Sequence, residues 1–375
     1  MATSKWAGLA ALAAAATLAL SACGSSDSSS TATGDSTNSS AASGGKVGVI
    51  LPDATTSPRW ENNDRPSLTK AFSDAGIGSD IQNAGGDTSK FGTICDSMIN
   101  EGVQVLMIVN LDPDSGAACL KKATAAGITS IDYDRLTPGG GASYYVSFDN
   151  VKVGELMGQG LQKCLTDEGK NTANIIYING AETDNNASLF KAGYVKALKP
   201  KIDSGDYKLV GDVSGEWDAN KAANAFDGLY TKNDGHIDGI ISANDTMAGG
   251  IIARLKANGL AGKVPITGQD ASVEGLQSIL AGDQCMTVYK NTNLEADLAS
   301  KLAIDVIKGD KAAADALASG SVEDPTTHQP VASALATPVA IFKDNVKQVI
   351  DDGFQKASDV CTGQYAKYCQ QAGIS

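Results

Sequence analysis

The chain has 375 residues, of which 42% are hydrophobic and 19% charged, and this length is sufficient for two or three globular domains. Acidic residues outnumber basic ones by 43 to 30, which gives a net charge of −13, and the absence of a basic tract argues against binding to nucleic acid or anionic lipid. Two histidines, His236 and His328, are present and lie far apart in the sequence. We therefore expect no metal site and no cofactor, and the composition favours a binding protein.

Residues 1–22 have the pattern of a signal peptide. Lys5 precedes an apolar run, mostly Ala and Leu, that is too short for a membrane span. The run ends in Leu-Ser-Ala-Cys-Gly, which resembles the lipobox of bacterial lipoproteins, and this resemblance implies lipidation of Cys23. The alternative is an ordinary secretory signal with an incidental cysteine. We expect an extracytoplasmic protein that is lipid-anchored to the cell membrane.

Residues 23–45 are predicted to be a flexible tether. They are rich in Ser and Gly, and after Cys23 they contain no apolar side chain larger than Ala, so they cannot bury enough surface to offset the entropy of ordering. No later segment is apolar over the length that a transmembrane helix needs. The lipid anchor is therefore the one expected contact with the membrane.

The remaining cysteines are even in number, which favours disulfides in an exported chain. They are Cys95, Cys119, Cys164, Cys285, Cys361 and Cys369. The pair Cys361–Cys369 would close a short local loop, and Cys95–Cys119 would join consecutive helices on one face of a sheet. Cys164–Cys285 then follows by elimination. No pair has CxxC spacing, which argues against zinc or redox chemistry.

Short apolar runs alternate with helical patterns from residue 46 onwards. Helices are predicted near 60–75, 88–101 and 114–126. The predicted strands are Lys46–Pro52, Val103–Asn110, Ile128–Asp134, Tyr144–Phe148, Ala173–Asn179, Lys208–Val213, Gly239–Ala243, Val264–Gly268 and Met286–Tyr289. This alternation predicts an α/β fold of two doubly wound parallel-sheet domains, because strands covered on both faces are short and uniformly apolar.

Polar and aromatic residues recur directly after these predicted strands, where open α/β sheets bind their ligands. They include Arg59, Trp60, Asp134, Arg135, Asp184, Asn186, Trp217, Asn244, Gln269, Asp270 and Lys290. Carboxylates, amides and basic groups can bridge sugar hydroxyls, and flat indole rings pack on the apolar faces of sugar rings. The alternative is that each polar residue is a helix cap or a turn former. For Asp245 and Gln269 the sequence favours this role at least as much as direct contact with a ligand.

The residues at these positions also resemble a known family, the type I periplasmic sugar-binding proteins of ABC transporters, and within it those that bind D-xylose. The similarity covers nearly all of residues 46–360, in family order. The matching segments are Arg59-Trp60, Tyr133-Asp134-Arg135, SFDNVKVGEL (147–156), DNNASLFKAGYVKALKP (184–200), SANDTMAGG (242–250), GQDAS (268–272) and MTVYK (286–290).

The resemblance implies two lobes joined by three crossovers, near Asp149, Lys290 and Leu335–Pro338. The N-terminal lobe would comprise 46–148 plus 291–335, and the C-terminal lobe 149–290 plus 336–375. The implied ligand contacts in the cleft are Arg59, Asp134 and Arg135 in the first lobe, Asp184, Asn186, Asn244, Asp270 and Lys290 in the second, and Trp60 and Trp217 on either side of the sugar ring.

The resemblance implies a monomeric receptor that delivers a monosaccharide, D-xylose first among the candidates, to the permease subunits of an ABC importer by lobe closure. Glucose, galactose, arabinose or ribose as the ligand, or a sensor kinase or chemoreceptor as the partner, are alternatives. An exported carbohydrate-active enzyme would need two carboxylates across a scissile bond. The neighbouring Arg135 and Lys290 favour ionised Asp134 and Asp270, which suits binding better than general acid catalysis.

Overall fold

The computed structural model describes residues 44–55 and 57–374. The predicted signal peptide, Cys23 and the predicted tether up to residue 43 lie outside the described residues. Within the described residues no helix is both long enough and apolar enough to cross a membrane.

The described strands alternate with helices along most of the chain. The strands are β1 (Lys46–Leu51), β2 (Gly78–Asn83), β3 (Val105–Ile108), β4 (Thr129–Tyr133), β5 (Tyr144–Phe148), β6 (Ala173–Asn179), β7 (Tyr207–Ser214), β8 (Gly239–Ser242), β9 (Met286–Tyr289), β10 (Gly320–Glu323), β11 (Pro330–Ala336) and β12 (Val339–Phe342).

The helices lie between these strands and at the C-terminus. They are α1 (Arg65–Asp74), α2 (Thr88–Asn100), α3 (Pro113–Ala125), α4 (Asn150–Asp167), α5 (Asn185–Asp203), α6 (Ala219–Lys232), α7 (Asp245–Ala257), α8 (Val273–Ala281), α9 (Thr292–Ile307), α10 (Lys311–Leu317), α11 (Val346–Asp351), α12 (Ala357–Val360) and α13 (Ala366–Gln371). A single turn of π-helix, Trp60–Asp64, runs directly into α1, and Gly363–Tyr365 form a 3-10 turn.

Two groups of sheets divide the described fold, and we call them the first and second lobes. The first lobe is built on one sheet in the order β10-β11-β5-β4-β3-β1-β2, which is parallel except for β10. The second lobe contains the parallel sheet β7-β6-β8 and the antiparallel pair β12-β9. The chain passes between the lobes at three places, from β5 to α4, from β9 to α9 and from β11 to β12.

Both faces of the first-lobe sheet are covered, as the apolar runs predict. Val47 and Val49 pack with α1 and α9 on one face, whereas Ile50 packs with α2 and α3 on the other. Alternate residues of a strand point to opposite faces, so a strand buried on both sides must be apolar throughout. The α/β fold of parallel sheets predicted from the sequence is therefore confirmed.

One predicted strand is wrong. Val264–Gly268 forms one isolated bridge, between Ile266 and Ile240, and the next residue, Gln269, forms another with Val288. The segment still lies between β8 and β9, because Thr267 N–H donates to the Ile240 carbonyl over 3.1 Å and Val288 N–H donates to the Gly268 carbonyl over 3.1 Å. Pro265 lacks a backbone donor, which is one reason that no continuous ladder forms.

The six cysteines form three disulfides, Cys95–Cys119, Cys164–Cys285 and Cys361–Cys369, which are the predicted pairings. The first joins α2 to α3, and the second joins α4 to the residue preceding β9. The third closes the C-terminal segment, whose Cys369 is buried in a cluster with residues of α8.

Candidate functional site

A cavity lies between the two lobes at the carboxyl ends of their parallel strands. It is lined by Ser57, Arg59, Trp60, Asp134, Arg135, Asp184, Asn186, Phe190, Trp217, Asn244, Gln269, Asp270 and Lys290. All ten residues that the sequence analysis proposed as ligand contacts are in this set. Strand ends separated by more than two hundred residues in sequence therefore meet at one place, as parallel sheets require.

Two of the lining residues also cap helices. Asp184 accepts a hydrogen bond from the Asn186 N–H over 2.9 Å and begins α5, and Asn244 accepts one from the Met247 N–H over 2.9 Å and begins α7. Capping was the alternative explanation for such residues, and here it coexists with a place in the cavity wall. Because the cap bond fixes the side chain, the other oxygen of Asp184 is held in position as well.

Three lining residues have left-handed backbone, with φ of 64° at Asp134, 59° at Trp217 and 104° at Asp270. Residues other than Gly adopt such angles at a cost of about 1–3 kcal/mol, and they persist where the surroundings hold them. At Asp134 the surroundings are visible, since its carbonyl oxygen accepts from Ser147 Oγ over 2.8 Å and from Tyr145 Oη over 3.2 Å. The strained backbone of these residues lies at the cavity, and backbone strain of this kind is concentrated at functional sites.

Arg59 is surrounded by carboxylates. Its Nε and Nη2 donate to the two oxygens of Asp64 over 2.9 and 2.8 Å, and Nη2 also donates to Glu295 Oε2 over 2.6 Å. Its Nη1 donates to Asp134 Oδ2 over 2.7 Å. Arg59 is 5% exposed and both Asp64 and Glu295 are fully buried. The guanidinium is therefore fixed by hydrogen bonds to three buried carboxyl groups, where water does not weaken them.

Asp134 remains ionised in this environment. Burial alone would raise its pKa, but the charges of Arg59, Lys290 and Arg135 outweigh burial and lower the pKa to about 2. Asn186 Nδ2 donates to Asp134 Oδ1 over 3.1 Å and to its carbonyl oxygen over 3.0 Å. Since Asp134 follows β4 and Asn186 lies in α5, these bonds join the first lobe to the second.

Asp184 lies between Arg135 and Trp217. Its Oδ2 accepts a hydrogen bond from Trp217 Nε1 over 3.2 Å and lies 3.0 Å from Arg135 Nε, without the alignment of a hydrogen bond. Burial raises the pKa of Asp184, and the charge of Arg135 opposes that rise. The indole and the guanidinium are thus both oriented by one carboxylate.

Lys290 connects the lobes from the β9–α9 crossover. Its Nζ lies 3.6 Å from Asp134 Oδ2 and 3.8 Å from Asp270 Oδ1. Asp270 also accepts from Ser57 Oγ over 3.1 Å, and Gln269 Nε2 donates to its other oxygen. The carboxylate of Asp270 therefore has partners in both lobes, so its contacts depend on how the lobes are placed.

The two tryptophans differ in their surroundings. The guanidinium carbon of Arg59 lies 4.3 Å from the ring centroid of Trp60, and that of Arg135 lies 5.6 Å away, which are cation–π distances. Trp217 packs edge-to-face against Phe190, with centroids 6.3 Å apart and the ring planes at 73°. Trp60 Nε1 is buried without a hydrogen-bond partner in the described structure.

Phe190 and Ser57 also line the cavity but are not among the residues predicted from the sequence. Phe190 is four residues after Asn186 on α5, so the helical period places both on one face, and that spacing was an available signal. Ser57 precedes the π-helical turn in a segment with no regular pattern, and no signal marks it. Among the described residues no cluster of His, Cys, Asp or Glu is arranged to hold a metal ion.

The two-lobed α/β fold with a polar cavity between the lobes is typical of solute-binding proteins. A family model described as a periplasmic binding protein domain matches residues 47–311. The chain belongs to the periplasmic binding protein family.

Three individual proteins are similar to the chain over most of its length. The chain is 37% identical over 318 residues to the D-xylose-binding periplasmic protein of Escherichia coli (strain K12), covering 84% of this chain and 92% of the relative. It is 34% identical over 343 residues to the multiple sugar-binding periplasmic receptor ChvE of Rhizobium radiobacter, covering 85% and 93%. A carbohydrate transporter solute binding protein from Chloroflexus aurantiacus, solved in complex with D-glucose, superposes with a TM-score of 0.75 at 28% identity, covering 84% of this chain and 97% of that one.

Proposed function

We propose that the protein is the sugar-binding receptor of an ABC importer and that it binds a monosaccharide, D-xylose first among the candidates, in the cavity between its lobes. The observation that carries the proposal is the composition of the cavity wall. Three buried aspartates, three basic side chains and two tryptophans converge on this one cavity.

The chemistry of the wall suits a sugar. Each hydroxyl donates and accepts a hydrogen bond, so it can pair at once with a carboxylate such as Asp134 and a donor such as Lys290. Trp60 and Trp217 offer flat apolar surface for the C–H faces of a sugar ring.

The choice of D-xylose is supported by the relatives, since two D-xylose-binding periplasmic proteins are 37% and 35% identical to the chain. A broader specificity is the second candidate. It is favoured by the multiple sugar-binding receptor at 34% identity and by the neighbouring structure solved with D-glucose. A pentose and a hexose differ by one CH₂OH group, and a pocket discriminates such a difference by only about 1–3 kcal/mol.

Lobe closure would couple binding to transport. Contacts such as Asn186–Asp134 and Ser57–Asp270 cross between the lobes, so they exist only when the lobes are together. A sugar that contacts both lobes would shift the population toward this closed form. The closed, monomeric receptor would then be recognised by the permease subunits, with a sensor kinase or chemoreceptor as the alternative partner.

Lipidation of Cys23 would keep this receptor at the outer face of the cell membrane. The support is the sequence Leu-Ser-Ala-Cys-Gly at residues 20–24. A Cys23→Ala variant of the full chain is expected to leave the membrane fraction, and retention of the variant in that fraction would contradict the anchor.

The ligand is tested by titrating the domain from residue 46 onwards with D-xylose, D-glucose, D-galactose, L-arabinose and D-ribose. Intrinsic fluorescence is informative because Trp60 and Trp217 are the two tryptophans in this domain, and calorimetry supplies the affinities. We expect saturable binding of D-xylose that Asp270→Asn weakens by at least about tenfold, as for the loss of a hydrogen bond to a charged group.

Asp297→Asn is the matched control, because this exposed carboxylate pairs with Lys301 on the surface of α9. The control should bind D-xylose as the wild type does. Binding of another sugar alone would change the ligand, and the absence of binding across the panel would overturn the proposal. Turnover of any of these sugars or their glycosides would overturn the assignment as a receptor.

A further inference from the structure

Two carboxyl groups that do not line the cavity account for most of the hydrogen bonds of Arg59. An arginine has five N–H donors. Asp64 accepts two of them and Glu295 accepts a third, while Asp134 accepts a fourth. One hydrogen, on Nη1, has no partner among the described residues, and Arg59 itself lines the cavity.

We propose that Asp64 and Glu295 are positioning residues that hold the Arg59 guanidinium in one orientation, with its remaining Nη1 hydrogen available to a sugar hydroxyl. This inference rests on the proposed function and names two residues outside the cavity wall on which that function depends. Neither residue is expected to touch the sugar.

The two carboxyl groups come from separate elements. Asp64 ends the π-helical turn that precedes α1, and Glu295 lies in the first turn of α9. The two oxygens of Asp64 accept hydrogen bonds from Nε and Nη2 of Arg59, and this bidentate geometry fixes the plane of the guanidinium. Tyr133 Oη donates to Asp64 Oδ1 over 2.5 Å and holds that carboxylate in turn. Glu295 accepts the second hydrogen of Nη2. The hydrogen that remains available is therefore on Nη1.

Such a clamp would lower the cost of binding. A free arginine loses rotamer entropy when it meets a ligand, and this loss weakens binding. Because Arg59 is already fixed in the folded protein, the side-chain entropy is lost on folding and not on binding. The sugar therefore binds to a donor that is already oriented. The same clamp places the guanidinium against Trp60, so one arrangement orients both groups.

Glu295 has a second feature that points to a need for an acceptor rather than a charge. Its Oε1 is buried without a hydrogen-bond partner in the described structure. Burial raises its pKa well above the ordinary value, an effect that the charge of Arg59 opposes. A neutral side chain with a carbonyl oxygen at the same place should therefore perform the same task.

The test compares Glu295→Gln with Glu295→Met in the domain from residue 46 onwards. Both replacements have nearly the volume of Glu, but only Gln retains an oxygen that can accept from Arg59 Nη2. We expect Glu295→Gln to bind D-xylose within about threefold of the wild type and Glu295→Met to lose roughly 10- to 100-fold in affinity, the range for a hydrogen bond to a charged group. Asp297→Asn, on the same helix, is the control for a changed charge.

A second measurement reports the position of Arg59 without a ligand. In a Trp217→Phe background, the emission of Trp60 depends on the guanidinium 4.3 Å from its ring. Glu295→Met should change this emission, and Glu295→Gln should leave it nearly unchanged. Equal affinities and equal emission for the two variants would overturn the inference, as would equal losses in both. Failure of the wild type to bind any sugar would instead overturn the proposed function, and the inference about binding with it.

Discussion

At the scale of single residues, Gly180 determines where Trp217 can lie. A Cβ atom added at Gly180 would lie 2.0 Å from Cζ2 of the indole ring, a distance that real Cβ contacts do not reach. Trp217 cannot simply yield, because Asp184 holds its Nε1 over 3.2 Å and Phe190 packs against its ring.

Gly180→Ala should therefore displace Trp217 from the cavity wall and weaken sugar binding, while the overpacking itself should lower the free energy of unfolding by about 1–3 kcal/mol. Calorimetric titration with D-xylose checks this. Gly249→Ala is the control, because nothing lies within 4 Å of a Cβ at that position in α7. The control should keep the affinity and gain up to about 1 kcal/mol of helix stability. Equal affinities in the two variants would contradict the prediction.

Asp132 makes folding stability depend on pH. It is fully buried in β4, and burial raises its pKa to about 7, although hydrogen bonds from Thr137 N and Oγ1, both over 2.7 Å, lower it. The ordinary value is 3.8, so between about pH 4 and about pH 7 the folded state holds a proton that the unfolded state has lost. The unfolding free energy must then fall as pH rises through this window, by up to about 1.4 kcal/mol per pH unit for each such group.

Urea unfolding at about pH 4.5 and about pH 7.5 measures this dependence. Asp132→Asn cannot ionise, so its unfolding free energy should fall less over the same interval than that of the wild type. Asp134 does not interfere, because its lowered pKa of about 2 confines its own titration to more acidic solutions. Parallel pH profiles for the wild type and the variant would mean that Asp132 does not titrate in this range.

At the scale of elements, two of the disulfides should differ in how much they stabilise the folded protein. Cys164 and Cys285 are separated by 121 residues and Cys361 and Cys369 by 8. In the chain-entropy account a crosslink stabilises by restricting the unfolded chain, by about 5 kcal/mol for the longer loop and about 2.5 kcal/mol for the shorter.

We expect Cys164→Ser with Cys285→Ser to lower the free energy of unfolding more than Cys361→Ser with Cys369→Ser. Denaturant unfolding of the two double variants measures both losses. Neither pair lines the cavity, so D-xylose affinity should change little in either. A larger loss for the C-terminal pair would show that packing of that segment, and not loop length, governs the difference.

The elements also show what periodicity can and cannot predict. Tyr144–Phe148, Ala173–Asn179 and Met286–Tyr289 are predicted with their observed bounds, because strands buried on both faces are continuous apolar runs. β2 was not predicted, since it is an edge strand of sequence GSDIQN with only intermediate or exposed residues. An edge strand has little need of apolar side chains, so its place in the sheet depends on tertiary pairing with β1.

The residues of the site also divide into those that the sequence predicts and those that it does not. Strand ends and the family resemblance identify ten lining residues, because parallel topology brings those ends together whatever the loops do. Glu295 could not be found in this way. It lies inside the apolar pattern of α9, 236 residues from Arg59 along the chain, and only the folded structure brings its carboxyl group to the guanidinium.

At the scale of the whole molecule, the proposed lobe closure would depend on the contacts between the lobes. Ser57 Oγ donates to Asp270 Oδ2 over 3.1 Å, and both residues are more than nine-tenths buried. Because this bond exists only when the lobes meet, its net free energy of about 1.5–3 kcal/mol for a charged acceptor counts entirely toward closure.

Ser57→Ala should shift the unliganded protein toward the open form, since 1.4 kcal/mol changes such a population ratio tenfold. Small-angle X-ray scattering without sugar should give a larger radius of gyration for Ser57→Ala than for the wild type, and saturating D-xylose should bring the two values together. Ser67→Ala is the matched control, because Ser67 Oγ donates to Asn293 Oδ1 over 2.7 Å within the first lobe. If the unliganded variant and the control scatter alike, the Ser57–Asp270 bond does not contribute to closure, and the balance must depend on Lys290 and on the Asp134–Asn186 contact.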